Sequence, residues 1–408
     1  MNNNNRCYGQ SVRGVGGKHR YVRIMGYRIT IERLRKELEL AYYMARRHKG
    51  KKGYVKDFDK DLHENLDALA VALYERRYEP QPSFCFIVHE PKIREIFAAR
   101  FVDRIVHHLY FNMVSAIFER LFIEDSYSCR EGKGSHYGVH RLYGHIRKAS
   151  RNYTREVYIL QLDIKGHFIN IDRKKILSIT ERIFGRAAGH AGRYTDLGFV
   201  RYLNRVIVMN DPADDCIIKS PPDAWNKLPD SKSLFKARNC CGLPIGNLTS
   251  QLLSNVYMNE LDQYAKRVLH CRHYGRYVDD IYVVSEDKEW LKYVAGRIRS
   301  FLSQNVALEL NQGKTRITSS KVGVRFLGYF VREHRIYLCN RTMKRVERRI
   351  SEQGVSAETV NSYLGMFRHC RSYRLRKQLL YKAGHLREKG FFSSDYTKYT
   401  TYDNLKLS

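Results

Sequence analysis

Residues 273–284 read His-Tyr-Gly-Arg-Tyr-Val-Asp-Asp-Ile-Tyr-Val-Val, and the fold turns on how this stretch is understood. Tyr, Ile and Val favour extended backbone on both sides of Tyr277-Val278-Asp279-Asp280, so the run predicts two strands meeting at a tight turn. Adjacent carboxylates at such a turn repel each other, and a hard divalent cation with oxygen ligands relieves that repulsion. A polar tip is also what an ordinary hairpin carries. The tetrapeptide therefore gains meaning only from what accompanies it.

Upstream, Ile159-Leu160-Gln161-Leu162-Asp163-Ile164-Lys165-Gly166-His167-Phe168 predicts an apolar strand over 157–165 that ends on one aspartate and turns at Gly166. Only a fold that lays this strand beside the 274–286 hairpin makes Asp163 a partner of Asp279. Brought together, the two suit a pair of Mg²⁺ ions about 3.5–4 Å apart, one acting on a primer 3′-hydroxyl and one holding a triphosphate. Asp280 supports them from the same turn. Between the two segments, residues 242–251 (Gly-Leu-Pro-Ile-Gly-Asn-Leu-Thr-Ser-Gln) form a loop entering a helix over 248–267, where glycine lets backbone approach a base pair and its phosphate. Downstream, Gly313-Lys314-Thr315 puts Lys314 at a turn, a candidate general acid for departing pyrophosphate. Arg325-Phe326-Leu327-Gly328-Tyr329 predicts a short apolar hairpin.

Charge points the same way. The 408 residues carry 73 Lys and Arg against 42 Asp and Glu, a formal net charge of +31. Such a field favours polyanions, nucleic acid ahead of an anionic membrane. No apolar run reaches spanning length, and the first twenty residues have no apolar signal core, so no membrane partner is expected. Nine cysteines occur without a CxxC pair, which predicts reduced thiols in the cytoplasm.

Helical spacing of apolar residues predicts helices over 30–48, 58–77, 104–122, 173–184 and 287–304, with strand-like alternation over Ser83–Glu95 interrupted at Pro91. Four prolines break the pattern across 209–240, which reads as an inserted excursion. Short strands follow over 307–338. From 341 the chain is helical and basic, with Arg341, Lys344, Arg345, Arg348 and Arg349 on roughly one helical face as candidate nucleic-acid contacts.

The ordered set Asp163…Phe168, Leu243-Pro244-x-Gly246, Tyr277-x-Asp279-Asp280, Gly313-Lys314-Thr315 and Phe326-Leu327-Gly328 resembles the palm motifs of reverse transcriptases, over roughly residues 60–385. The resemblance implies an α+β right-hand polymerase fold. Its parts are a basic arm at 1–29, fingers with the start of the palm at 30–155, palm at 156–330 containing the insert, and a helical thumb and tail at 331–408. It implies Asp163, Asp279, Asp280 and Lys314 as catalytic residues, and two Mg²⁺ ions held by Asp163, Ile164, Asp279 and Asp280. Lys92, Arg94, Phe168, Ile245, Gly246 and Gln251 fall at nucleotide-binding positions. Phe168 is placed to stack beneath the sugar and reject a 2′-hydroxyl, and Arg94 to clamp the triphosphate.

Within that family the chain is most similar to the reverse transcriptases of diversity-generating retroelements. The carriers are Ile245-Gly246-Asn247-Leu248-Thr249-Ser250-Gln251, Phe122–Tyr127 with Arg130–Gly134, Lys92–Ile96, and residues 103–108. His167 departs from the bulkier aromatic common there. The resemblance implies error-prone copying at template adenines, with Ile245 and Arg94 as fidelity positions, since an apolar side chain offers shape without a directional contact. It adds Arg130 and Lys133 as nucleic-acid contacts. Implied partners are template RNA, the RNA/cDNA duplex, deoxynucleoside triphosphates and a small basic helical accessory protein. Two other readings stay open: a group II intron, retron or phage-defence reverse transcriptase, and a non-catalytic RNA-binding scaffold.

Overall fold

The structure, a computed structural model, describes residues 28–90, 92–187, 196–352 and 354–405. Apart from its last two residues, the arm expected at 1–29 lies outside them. The chain forms two compact units.

The first unit takes residues 1–80, 101–117 and 177–207, and its described part is helical. Thr30 caps the helix Ile31–Arg46 by accepting from Arg33 N at 3.3 Å, and Leu34, Leu38, Ala41, Tyr42 and Ala45 form its buried stripe. Tyr42 stacks on Phe58 with ring centres 5.9 Å apart, and Phe58 meets Phe101 edge-on at 5.2 Å. The helix expected over 58–77 is two helices, Gly53–Lys60 and Leu62–Tyr74, parted at Asp61 (φ −120°, ψ 47°). The Asn65 side chain donates to the Phe58 carbonyl at 3.1 Å, satisfying a group that the break leaves open.

The second unit takes residues 81–100, 118–176 and 208–408 and is α+β, as expected. Its centre is a four-stranded antiparallel sheet ordered His273–Tyr277, Asp280–Ser285, Tyr158–Asp163, Arg316–Ser319. The helices Leu248–Arg267 and Lys288–Val306 bury apolar residues at helical spacing, among them Leu252, Val256, Leu261, Leu291, Ile298 and Leu302. Asp287 caps the second by accepting from Trp290 N at 2.9 Å. A helix that sequence spacing did not reveal, Ser135–Ala149, packs Val139, Leu142 and Ile146 into a core with Tyr282, Val284, Phe326 and Tyr329.

A second antiparallel sheet, Val324–Phe326, Tyr329–Arg332 and Arg335–Leu338, leads into the helices Asn340–Ser351, Ala357–Phe367 and Tyr373–Lys382. The chain then adds an unforeseen hairpin, Gly390–Phe392 with Tyr399–Thr401. The 209–240 segment is structured. Its strand Cys216–Ile218 pairs parallel with Ser83–Val88, itself antiparallel to Arg94–Ala98, and three 3₁₀ turns follow.

Candidate active site

Asp163 ends one strand and Asp280 begins its neighbour, and the register makes them direct cross-strand partners. Asp279 lies one residue back, in the turn that joins the two hairpin strands. Val278 sits there at φ 55°. A β-branched residue in the left-handed region is strained, and such strain persists only where the surroundings impose it.

The imposing group is Arg276, which sequence reading passed over. Its side chain is fully buried and donates to Asp262 at 2.7 and 2.8 Å, to Ser126 Oγ at 3.1 Å, to Asn255 Oδ1 at 3.2 Å, and to the Val278 carbonyl at 3.2 Å. A buried arginine holding the turn by its own backbone fixes where the two aspartates stand. The sequence offered one signal: an arginine between Gly275 and Tyr277 in a short strand beside the apolar run 281–284, where it cannot be buried without a carboxylate. The segment Glu124–Tyr127 joins the same edge. Arg276 N donates to Asp125 O at 2.9 Å and Tyr127 N to Arg276 O at 3.0 Å. Gly275 is required at this point, because a Cβ would run into the hydroxyls of Tyr127 and Tyr282.

Burial, then the neighbouring carboxylates, raises the carboxyl of Asp280 to about 7. Burial also raises Asp279, with the charge of Asp163 adding to it. Asp163 is differently engaged: Lys314 Nζ reaches both its oxygens at 2.9 Å, and Asn311 Nδ2 donates at 3.3 Å. That hydrogen bond to Asp163 raises the Lys314 ammonium further. Among the described residues no group of three or more His, Cys, Asp or Glu stands ready to hold a metal ion. The donors nevertheless suit a hard cation. Asp279 and Asp280, both half-buried, have their carboxyls raised by burial and by neighbouring carboxylates, and Asp163 is paired to a lysine cation. The Ile164 backbone pairs with Leu310, beside Asp163.

The 242–251 loop is tied to two segments that carry expected nucleotide-binding residues. Leu243 N donates to the Phe168 carbonyl at 2.8 Å, and Phe97 N to the Ile245 carbonyl at 2.9 Å. Gly246 has φ 130°, and a Cβ there would lie 2.9 Å from the Phe97 carbonyl, so the close approach needs glycine. Phe168 and Ile245 are half-buried; Lys92 and Arg94 are exposed. Burial raises the Tyr277 hydroxyl, as it does the carboxyls of Asp279 and Asp280; the charge of Arg94 opposes the first shift in part and that of Lys92 the other two. Gln251 accepts a hydrogen bond from the Cys129 thiol. His167 is buried against Ser254 Oγ at 2.7 Å and stays neutral, burial depressing its basicity to about 3.

Arg130 and Lys133 are both engaged within the protein. Arg130, 6% exposed, binds Glu119 and the carbonyls of Ile123 and Ser126 at 2.6 and 2.8 Å. Lys133, 11% exposed, binds the Glu124 carbonyl at 2.6 Å and its carboxylate at 3.1 Å. Their carbonyl and carboxylate partners occupy both heads, which clamp the 119–134 loop. On the basic helix Asn340–Ser351, Thr342, Val346 and Ile350 face inward. Arg341, Lys344 and Arg348 are exposed, and Arg345 is half-buried. Arg348 and Arg349 share Glu90 at 2.8 and 3.1 Å.

No helix among the described residues is long and apolar enough to cross a membrane. Protein YkfC of Escherichia coli K12 is 22% identical over 66% of this chain and 71% of its own. The group II intron-encoded protein LtrA of Lactococcus lactis subsp. cremoris is 20% identical over 67% of this chain and 50% of its own, so the chain spans about half of that relative. Among solved structures, apo telomerase from Candida tropicalis, truncated from the C-terminal domain, has a TM-score of 0.45 at 12% identity, covering 64% of this chain and 56% of that one. Residues 89–331 match the family described as reverse transcriptase (RNA-dependent DNA polymerase), and with more than half its length inside that match the chain belongs to the reverse transcriptase family.

Proposed function

We propose that this chain copies RNA into DNA by two-metal nucleotidyl transfer, and that Asp163, Asp279 and Asp280 are its catalytic carboxylates. The direct cross-strand pairing of Asp163 with Asp280, beside a turn held by a buried arginine, carries the reading. Mg²⁺, when bound, supplies activation of the primer 3′-hydroxyl and neutralises the triphosphate. The chain's own residues do the rest. Arg276 fixes the carboxylates in place, so no reorganisation is needed as charge develops. Lys92 and Arg94 draw the triphosphate to the turn. Phe168, tied to the Leu243 loop, stacks beneath the sugar and rejects ribose. Lys314 moves from Asp163 to the departing pyrophosphate and protonates it.

Within the family we assign the chain to a diversity-generating retroelement, with template RNA, the RNA/cDNA duplex, deoxynucleotides and a small basic helical accessory protein as partners. The support is Gly246…Ser250-Gln251 together with an apolar Ile245 docked on the strand that carries Arg94. A group II intron enzyme is the second reading, favoured by the similarity to LtrA. Sequencing cDNA made from a defined RNA separates them. Errors concentrated opposite template adenine, and reduced by Ile245→Gln, support the first; an even, Ile245-independent error spectrum supports the second.

A further inference from the structure

We propose that a basic cleft at the far end of the central sheet is a second RNA site, which takes the phosphates of an unpaired template segment remote from the catalytic turn. This deepens the reverse-transcriptase reading and rests on it. The cleft, of about 730 Å³, is lined by Arg141, His145, Lys148, Arg151, Arg272 and Trp290, among others. Its carboxylates are spoken for: Asp125 accepts from Arg141 at 2.6 and 3.0 Å, and Glu286 pairs with Arg155 at 3.1 Å. Lys148, Arg151 and Arg272 are exposed and have no carboxylate partner among the described residues. Their crowding is felt by His273, whose basicity is depressed by burial and then by Arg272, Lys266 and Lys148.

The rim is built rather than incidental. Arg151, Asn152 and Tyr153 are three successive left-handed residues, at φ 49°, 59° and 69°. Each is strained for a side-chain-bearing residue and survives only where other bonds insist on it. Here they do: Asn152 N donates to the Arg147 carbonyl and Tyr153 N to Ser150 Oγ, both at 2.9 Å, and Arg147 Nε donates to Asn152 Oδ1 at 2.8 Å. The floor is equally fixed, with His145 Nδ1 3.0 Å from the Tyr282 hydroxyl.

Position separates this cleft from the chemistry. Ser285 ends the strand that Asp280 begins, which puts the two roughly 17 Å apart at strand rise. An anion here is therefore not the nucleotide being joined. Three unpaired cations suit a run of phosphates, and Trp290 at the wall offers a face on which an unpaired base stacks. An acidic protein segment would use the cations and leave the indole idle.

The test is fluorescence anisotropy of the full chain with an end-labelled, unpaired RNA, beside extension of a short primed duplex. Lys148→Glu combined with Arg272→Glu is expected to weaken binding of the long RNA about tenfold or more and to flatten its salt dependence, with short-duplex extension unchanged. Trp290→Ala is expected to weaken unpaired RNA more than duplex RNA. Unaltered affinity in the charge-reversed variant, with an unchanged melting temperature, would overturn the proposal, as would equal loss on the short duplex. Absence of RNA-templated extension in the unmodified chain would instead remove the polymerase reading while the binding comparison stands.

Discussion

Arg276 and Asp262 form an ion pair in which neither side chain reaches solvent, and the same guanidinium holds the carbonyl of Val278. Removing one partner of such a pair leaves an uncompensated buried charge, which costs about 3–5 kcal/mol. Arg276→Met should lower the free energy of unfolding in urea by that order and release the Val278 turn. A midpoint unchanged from the unmodified protein would show that the pair contributes little.

Glu95 is 3% exposed and accepts from Trp225 Nε1 at 2.7 Å, Ser233 Oγ at 2.8 Å and Leu234 N at 2.5 Å. It thus ties the 209–240 insert to the strand that begins at Arg94. Trp225→Phe deletes one donor to a buried carboxylate and should cost about 1.5–3 kcal/mol. We expect KM for deoxynucleotide to rise more than kcat falls, measured by steady-state extension. A change confined to kcat would contradict this link.

His369 stacks on His136 with ring centres 3.9 Å apart, and its Nδ1 lies 3.2 Å from His140 Nε2. Burial depresses both His136 and His369 below the ordinary 6.5, and neighbouring imidazoles add to it. A histidine depressed in the folded state binds its proton more readily unfolded, so stability is present above about 6.5 and lost as pH falls through the window beneath. Thermal melting should drop from pH 7 toward pH 5, and His369→Asn should flatten that drop. An identical profile in the variant would exclude the cluster as its source.

Arg341 and Lys344 are exposed on the basic helix. If each neutralises one phosphate of single-stranded RNA, replacing either by Ala should reduce the slope of log K against log salt by roughly 0.7. Titrations at several salt concentrations check this, and an unchanged slope places the RNA elsewhere.

The Tyr277–Asp280 turn and its partner strand were legible because their signals are local: an apolar run, a turn and an acid at its end. The helix Leu248–Arg267 was equally readable, since Asn247 and a regular apolar stripe mark it. What escaped depends on distant partners. The helix Ser135–Ala149 interrupts its apolar face with His145, whose bonds to Arg141 and Tyr282 exist only after folding. The 209–240 insert looked irregular because its order comes from Glu95, more than a hundred residues upstream. The carbonyl partners of Arg130 and Lys133 escaped for the same reason, because sequence shows charge and not what it binds.

The most direct measurement is extension of a DNA primer on an RNA template with deoxynucleotides and Mg²⁺, comparing the unmodified chain with Asp279→Asn and Asp280→Asn combined. The account predicts RNA-templated extension that the double substitution abolishes while the protein stays folded. Extension that persists in the double variant would contradict it.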